Sequence, residues 1–262
     1  MHRLLVDTPL LSEESPILPK EAANHLKVLR PKSGEEIELF DGHGRWRVYT
    51  WSPAGLFSDQ AIKQSEQSEQ SNNSLTLFAC VTKGSRWDWT IEKATELGVT
   101  RIVPVISERT IVRIPREERA AKRARWQRIA EDAARQSDAK WLPEIREAVD
   151  FPDVLPLVSE TTCFIGALTN PPSEPLLTAA LKRARAEGDR GRGGRRFATF
   201  VGPEGDLTPD ELGALMKIAI PTSFGPTILR AETAAIFAVG LLSAIDKVGP
   251  TRSMRFFFLR DT

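Results

Sequence analysis

Val201-Gly-Pro-Glu-Gly-Asp206 is one of two short runs that determine the architecture of this chain, and the other is Gly225-Pro-Thr-Ile-Leu-Arg-Ala-Glu-Thr-Ala234. Each run follows an apolar segment that is predicted to be a buried strand, and each leads into a helix. Glycine permits close backbone approach and a positive φ, and proline stiffens a turn. An open α/β sheet binds its ligand where such turns follow neighbouring strands. The two runs therefore predict an α/β fold with a ligand site at one sheet edge.

The chain from about residue 75 to 250 alternates apolar, strand-like runs with helical stretches. The strand-like runs are Leu75–Thr82, Arg101–Ile106, Thr162–Leu168 and Phe197–Val201. This alternation favours a mostly parallel sheet that helices cover on both faces. A helix over Asp88–Leu97 is expected to end at Gly98, and Thr208 with Glu211 forms a capping box that starts another helix. The last helix is expected from about Glu232 to Lys247.

Residues 1–70 are predicted to form a separate small β-barrel. Ile37–Phe40 and Trp46–Trp51 flank the Gly-rich turn 41–44, which is a hairpin pattern, and one helix is expected over Glu21–Leu29. Residues 64–74 contain no apolar side chain, so they are predicted to be a flexible connection between the two domains.

The net charge of +1 conceals two basic clusters. Lys and Arg outnumber Asp and Glu by eleven to six between Arg109 and Arg146, and by seven to two between Lys182 and Arg196. The second cluster includes residues 186–196, which are predicted to be a disordered basic loop. Concentrated basic segments indicate a protein that meets a polyanion on one face. Two solvated helices and a loop would give the same charge pattern.

Several classes of protein are excluded by what the sequence lacks. The three histidines lie in the first part of the chain without metal-ligand spacing, so no metal is expected. There is neither a Gly-x-Ser-x-Gly elbow nor a Walker motif. No apolar run is long enough to span a membrane, and Cys80 and Cys163 both lie in apolar runs. These features predict a cytoplasmic protein with reduced thiols.

Three Gly/Pro-rich turns are expected to meet at one sheet edge: Thr169-Asn-Pro-Pro172, Gly202-Pro-Glu-Gly205 and Phe224–Leu229. Their main-chain groups and apolar side chains suit a planar heterocycle. Arg230 and Glu232 follow at the start of the last helix. There an arginine can stabilise negative charge on a substrate oxygen, and a carboxylate can orient a donor or accept a proton. A surface ion pair at a helix start is the alternative reading.

Gly202-Pro-Glu-Gly205 followed by Leu229-Arg-x-Glu-Thr-Ala234 resembles the RsmE family of 16S rRNA uracil-N3 methyltransferases. These enzymes belong to the SPOUT superfamily of knotted, S-adenosylmethionine-dependent enzymes. The resemblance extends over nearly the whole chain. It includes His25-Leu-x-Val-Leu-Arg30, Leu39-Phe-Asp-Gly42, Lys83-Gly84, Glu96-Leu-Gly-Val99, Ser107-Glu-Arg109, Trp126-x-x-Ile-Ala130 and Pro143-Glu-Ile145.

The resemblance implies a PUA-like β-barrel over residues 1–70 and a SPOUT-type α/β domain with a C-terminal trefoil knot over 75–250. It implies a homodimer that uses S-adenosylmethionine to methylate N3 of a uridine in 16S-type ribosomal RNA or the small ribosomal subunit. The alternatives are a SPOUT enzyme acting on another RNA or another atom, such as a ribose 2′-hydroxyl, and a non-catalytic RNA-binding assembly factor.

The resemblance also implies roles for individual residues. The catalytic group is Arg230, Glu232 and Glu204. From their charge, and not from the resemblance, we expect RNA phosphates at Arg30, Lys83, Arg86, Arg109 and Arg113; for each of these side chains alone, a solvated surface charge is the alternative. The cofactor contacts are expected at Leu168, Thr169, Asn170, Val201, Gly202, Pro203, Glu204, Gly205, Phe224, Gly225, Ile228, Leu229 and Thr233.

The chain departs from the family pattern at two places. Asp206 stands where the family commonly has a second glycine, which adds bulk and charge beside the cofactor loop. Arg135-Gln-Ser-Asp-Ala139 stands where the family usually reads Glu-Gln-Ser-Gly-Arg, a segment expected at the dimer or RNA surface. We expect the cofactor site to survive the first change, whereas the second bears on the target nucleotide.

Overall fold

The computed structural model describes residues 1–65, 74–167, 173–188 and 195–248. Most of the predicted connection 64–74 and of the predicted basic loop 186–196 lies outside the described residues. The chain forms two compact units. The first consists of Met1–Gln70 and Arg128–Leu142, and the second consists of Ser71–Gln127 and Pro143–Thr262.

The first unit contains a five-stranded sheet with the order β1-β2-β3-β4, and β5 also pairs with β3. Its strands are β1 (His2–Leu5), β2 (Glu36–Phe40), β3 (Arg45–Ser52), β4 (Gly55–Phe57) and β5 (Lys63–Gln64). β1 and β2 are parallel, whereas the predicted hairpin β2–β3 is antiparallel. In the described residues β1 does not pair with β4, so these ladders form a sheet without closing it into the predicted barrel. Helix α1 (Lys20–Leu29) completes the unit and packs Leu26 into its core.

Arg3 explains why residues 128–142 belong to the first unit. Its buried guanidinium donates from Nε to Glu38 Oε1 at 2.7 Å, from Nη1 to the Ala134 carbonyl at 2.6 Å, and from Nη2 to the Ala139 carbonyl at 3.0 Å. Lys140 Nζ donates to both oxygens of Glu38, at 2.6 and 2.8 Å. A buried ion pair is tolerated only when its remaining hydrogen bonds are made. Residues 128–142 were predicted to belong to the second domain, because contacts over more than 100 residues leave no local pattern.

The second unit contains a seven-stranded parallel sheet with the order β12-β10-β11-β6-β7-β8, and β9 also pairs with β7. Its strands are β6 (Ser74–Cys80), β7 (Arg101–Ile106), β8 (Glu144–Ile145), β9 (Val149–Asp150), β10 (Thr162–Gly166), β11 (Arg196–Val201) and β12 (Ile220–Thr222). The four apolar runs became β6, β7, β10 and β11. Such continuous apolar runs are typical of strands that are buried on both faces.

Helices cover both faces of this sheet, as predicted. They are α2 (Ser85–Glu96), α3 (Arg116–Gln136), α4 (Phe151–Ser159), α5 (Leu176–Gly188), α6 (Pro209–Leu215) and α7 (Ala231–Val248). One face packs Phe78 and Phe200 against Phe151 of α4. On the other face α7 packs against β11 and β6. None of the helices in the described segments is both long and apolar enough to cross a membrane.

Two helix ends follow the sequence signals and one helix start does not. Gly98 lies just beyond α2 with a φ of 86°, and the capping box of Thr208 and Glu211 is formed at the start of α6. α2 begins three residues earlier than predicted. Its first turn is needed to bury Trp87, whose ring packs edge-on against Trp126 with ring centroids 5.6 Å apart.

Candidate active site

The segments that follow β11 and β12 lie at one edge of the parallel sheet, because both strands pair in parallel with β10. The Gly202–Gly205 turn follows β11, and the run that begins at Phe224 follows β12. β6 is the next strand beyond β11, so the segment from Val81 to Arg86 reaches the same edge. The third predicted cofactor segment, Leu168, Thr169 and Asn170, lies outside the described residues.

The turn after β11 has a tight backbone. Val201 and Pro203 are buried, whereas Glu204 and Gly205 are exposed. The Asp206 amide donates to the Pro203 carbonyl at 3.0 Å, and Asp206 has a φ of 60°. That left-handed conformation explains why a glycine suits this position in the family. The Asp206 carboxylate accepts from the Leu207 amide at 2.8 Å, so one of its oxygens is bonded to the residue that precedes the N-cap of α6.

Arg109 and Arg113, which were predicted to contact RNA phosphates, donate to backbone carbonyls of this region. Arg109 Nη1 lies 3.3 Å from the Gly205 carbonyl and 3.4 Å from the Leu207 carbonyl. Arg113 donates to the Ser107 and Glu108 carbonyls at 3.1 and 2.6 Å. The Arg109 contacts connect the segment after β7 to the turn after β11, so both arginines have a structural role whether or not they also contact RNA.

The turn after β12 presents apolar side chains. Phe224 is half-buried and packs against Phe237 of α7, with ring centroids 6.0 Å apart. A Cβ on Gly166, the last residue of β10, would lie 2.8 Å from the Phe224 ring, so this ring requires a glycine there. Gly225 has a φ of 126°, and Ile228 is 84% exposed, whereas Leu229 is half-buried. Gly166 was not predicted as a site residue, although a glycine at a strand end is a signal of close backbone approach.

Glu204 and Glu232 converge on Arg86. Arg86 Nη1 lies 3.6 Å from Glu204 Oε1, and Arg86 Nε lies 3.8 Å from Glu232 Oε1. The Glu232 side chain is only 12% exposed, and its Oε2 is buried without a hydrogen-bond partner. Arg86 was predicted to contact RNA, but the structure places it between the two carboxylates that were predicted to be catalytic.

Arg230 and Thr233 lie at the start of α7, next to Glu232. Both residues are exposed, and the Arg230 carbonyl accepts from the Ala234 amide at 2.8 Å. Within the described residues the Arg230 guanidinium forms no ion pair, so it is free to meet a ligand. Lys83 is also exposed, in the segment between β6 and α2.

Arg30 belongs to the first unit and is described there. It ends α1 in a left-handed conformation with a φ of 49°, and its side chain is exposed. Together with Lys27 and Trp51 it lines a cavity of about 410 Å³. As for metals, the described part of the chain contains no group of three or more His, Cys, Asp or Glu side chains able to hold an ion.

Family models match most of the chain. An RNA methyltransferase domain matches residues 69–243, and an RNA methyltransferase PUA domain matches residues 18–50. The ribosomal RNA small subunit methyltransferase E of Synechocystis is 30% identical over 247 residues, which cover 93% of this chain and 78% of that protein. The protein of the same name from Mycobacterium tuberculosis is 27% identical over 223 residues, which cover 83% of this chain and 81% of that one.

Two solved structures with bound cofactor are also similar. One is a ribosomal RNA small subunit methyltransferase E from Neisseria gonorrhoeae bound to S-adenosyl methionine, with a TM-score of 0.74 and 30% identity, covering 93% of this chain and 97% of that one. The other is a putative methyltransferase from Legionella pneumophila in complex with the same cofactor, with a TM-score of 0.72 and 25% identity, covering 93% and 96%. From its two domains and this likeness, the chain belongs to the RsmE family of ribosomal RNA small subunit methyltransferases.

Proposed function

We propose that this protein transfers the methyl group of S-adenosylmethionine to N3 of a uridine in 16S-type ribosomal RNA, in the cytoplasm. Its membership of the RsmE family supports an RNA methyltransferase, and the Neisseria gonorrhoeae relative is bound to S-adenosyl methionine. The observation that carries the proposal is the meeting of Glu204, Glu232 and Arg86 at the sheet edge where the turns converge.

The residues at this edge fit the cofactor. A buried acceptor without a donor costs about 1–3 kcal/mol, so the buried Glu232 Oε2, which accepts from no described residue, is suited to a ligand donor. Glu204 and Glu232 face the single guanidinium of Arg86, and this group of three carries the negative charge that suits a sulfonium, while Arg230 is assigned to the base. We assign cofactor contacts to Val201–Gly205, the Phe224–Leu229 turn and Thr233, with Leu168, Thr169 and Asn170 completing the set. When bound, S-adenosylmethionine supplies an electrophilic methyl group.

The chain's own groups have three tasks in the reaction. They hold the base, favour its anion and orient N3, because that nitrogen carries a hydrogen and is a poor nucleophile until the proton leaves. Positioning alone lowers a barrier by roughly 7–11 kcal/mol. Arg230 is exposed and adjacent to Glu232, so it stabilises negative charge on a uracil carbonyl oxygen. Glu204, with a partly exposed side chain, accepts the proton through water.

We assign the RNA to both units. The first unit serves as the PUA-type RNA-binding domain and contributes Arg30, and the second is the methyltransferase domain. Lys83 contacts phosphates with its exposed ammonium group, and Arg109 and Arg113 do so with the N–H donors that are not bonded to backbone carbonyls. The target base must leave its stack to reach the sheet edge.

We propose further that the enzyme is a homodimer with a trefoil knot in its last strands, as the family resemblance implies. Large apolar side chains are exposed on the elements around the site: Trp89 at 41%, Phe237 at 41% and Ile228 at 84%. Such groups mark surfaces that a partner covers. Light scattering at micromolar concentration tests the dimer, which a single-chain mass would refute.

The decisive experiment is methyl transfer from labelled S-adenosylmethionine to small-subunit rRNA and to small subunits from cells that lack the gene. Mass spectrometry of the digested nucleosides then identifies the product. N3-methyluridine at one position establishes the proposed reaction. A 2′-O-methylated nucleoside would instead place the enzyme with SPOUT enzymes of another specificity. RNA binding without methyl transfer would make it an assembly factor.

A further inference from the structure

A second polar cavity lies at the opposite edge of the parallel sheet, where the strands begin. It has a volume of about 450 Å³ and is lined by Arg101, Arg146, Arg196, Glu160 and the start of β6. β6 has seven residues, so this edge is roughly 20 Å from the site at the carboxyl ends of the strands. The cavity is therefore separate from the candidate active site.

The strand register brings the arginines together. Arg196 pairs with Ser74, and Arg101 pairs with Thr76, so Arg196 and Arg101 flank β6 from either side. Side chains two residues apart share a sheet face, and Val103 and Ala198 belong to the core on the α4 face. Arg101 and Arg196 therefore continue that face beyond its apolar core. Arg146, just after β8, adds a third guanidinium.

Positive charge is in excess at this cavity. Glu144 is shared by two guanidinium groups, since it lies 2.8 Å from Arg101 Nε and 3.4 Å from Arg146 Nη1. Arg196 forms no ion pair with any residue that the structure describes. With Glu160 included, three arginines face two carboxylates. Three guanidinium groups line this cavity, and the planar guanidinium fork matches the geometry of a phosphate.

We infer that this cavity binds a phosphate group, either of an RNA strand or of a free phosphorylated molecule. A volume of this size is within the range of small-molecule sites, so it has room for a nucleotide unit around the phosphate. The RNA source rests on the proposed function, whereas a free phosphate source does not. In the first case the cavity anchors the substrate far from the methylated base.

The test compares full-length wild-type protein with Arg196→Gln and Arg101→Gln, without a methyl donor. Inorganic phosphate is titrated by calorimetry, and a labelled small-subunit rRNA fragment is titrated by anisotropy at several salt concentrations. Lys217→Gln is the control, because Lys217 is an exposed cation of the same unit that lies outside the cavity and outside both basic clusters. Thermal unfolding measures whether each variant is as stable as the wild type. If Arg196→Gln is less stable, Arg196→Lys is used in its place.

We expect Arg196→Gln to lower the affinity for the probe that binds the cavity by at least about tenfold, because a charge-assisted hydrogen bond is lost. If RNA is the source, one phosphate contact is lost, and the slope of log affinity against log salt concentration becomes shallower by about one. A loss for phosphate alone identifies a free ligand. Unchanged affinity for both probes in both cavity variants, or an equal loss in Lys217→Gln, would overturn the inference. Neither outcome bears on methyl transfer, which is measured separately.

Discussion

The Nε of Arg86 lies 3.8 Å from Oε1 of Glu232, and the second oxygen of that carboxylate is buried with no donor. The same guanidinium lies 3.6 Å from Glu204, which belongs to a different turn. One cation thus orients two carboxylates whose sequence positions differ by 28. Removing it would leave like charges facing each other at the sheet edge, so Arg86 is the residue on which the site geometry most depends.

Replacing Arg86 with glutamine is expected to lower the rate constant of methyl transfer by about 10²-fold, the usual effect of losing one preorganised polar group. The measurement is single-turnover methyl transfer at saturating RNA. Lys83→Gln is the control, because Lys83 is an exposed cation in the same segment with no carboxylate partner among the described residues.

Saturation with RNA separates this role from phosphate binding. If Arg86 only contacts RNA, then Arg86→Gln raises the RNA concentration needed for half-maximal rate and leaves the maximal rate constant unchanged. That result would show that Arg86 acts by binding RNA and not by orienting Glu204 and Glu232.

Glu232→Gln is expected to separate stability from activity. The side chain is 12% exposed and one oxygen has no hydrogen-bond donor, so the folded protein gains little from the charge. We expect the free energy of unfolding to stay within about 1 kcal/mol of wild type while methyl transfer falls at least tenfold. Urea denaturation and the single-turnover assay measure the two effects.

Glu211→Ala is the contrasting variant for that comparison. Glu211 accepts from the Thr208 amide at 3.0 Å and from the Glu108 amide at 2.9 Å, so it serves structure. Its loss is expected to cost about 1 kcal/mol of stability, as removal of a helix cap does. A Glu232→Gln variant that loses stability and keeps its activity would show that Glu232 too is structural.

Gly166→Ala is expected to displace the Phe224 ring, because the added Cβ would lie 2.8 Å from it. Overpacking of this kind costs typically 1–3 kcal/mol. The same change should weaken binding of S-adenosylmethionine, since Phe224 begins one of the three turns assigned to the cofactor. Calorimetry measures the affinity, and urea denaturation measures the stability.

The matched control is Gly213→Ala in α6, where nothing lies within 4 Å of the added Cβ. Replacing a helical glycine there is expected to stabilise the protein by about 0.5–1 kcal/mol and to leave cofactor affinity unchanged. Equal cofactor affinity in the wild type and Gly166→Ala would place the cofactor away from Phe224.

The sequence predicted the parallel sheet and its turns well because the necessary signals are local. The four apolar runs in the second part became strands, and Thr208 and Glu211 capped α6 as expected. Glycine and proline place the turns for steric reasons that do not depend on the rest of the chain.

What the sequence did not reveal depends on contacts between distant residues. Arg3 bonds to carbonyls 131 and 136 residues further along the chain, which places 128–142 in the first unit. Arg109 engages a backbone carbonyl 96 residues away, although its charge alone suggested a phosphate. A basic side chain has several possible partners, and only the fold decides among them.

Asp206 provides a test of why this chain tolerates a non-glycine residue in the turn after β11. Its φ of 60° is accessible to aspartate at a modest cost, and its carboxylate accepts from the Leu207 amide. Asp206→Gly is expected to leave stability within about 0.5 kcal/mol, whereas Asp206→Ala should lose about 1–2 kcal/mol. Equal stability of the alanine variant and the wild type, measured in urea, would contradict this account.

The two cysteines are expected to be unreactive in the folded protein. Burial raises the pKa of Cys80 to about 11 from an ordinary value of 9.0, and it also raises the pKa of Cys163. A thiol with a pKa near 11 is ionised in about one molecule in a thousand at pH 8, and the thiolate is the reactive form. A disulfide reagent should therefore label neither thiol in native protein at pH 8 and both in guanidinium.

The same pKa shift predicts how stability varies at alkaline pH. The unfolded thiols lose protons near pH 9 and the folded ones only at higher pH, so the folded state binds more protons in between. Its free energy of unfolding therefore falls as pH rises from about 9. Cys80→Ala should make the total fall smaller than in the wild type, by about 1.4 kcal/mol for each unit of pKa shift that is removed. An unchanged fall in this variant would mean that the Cys80 thiol is not desolvated in the native protein.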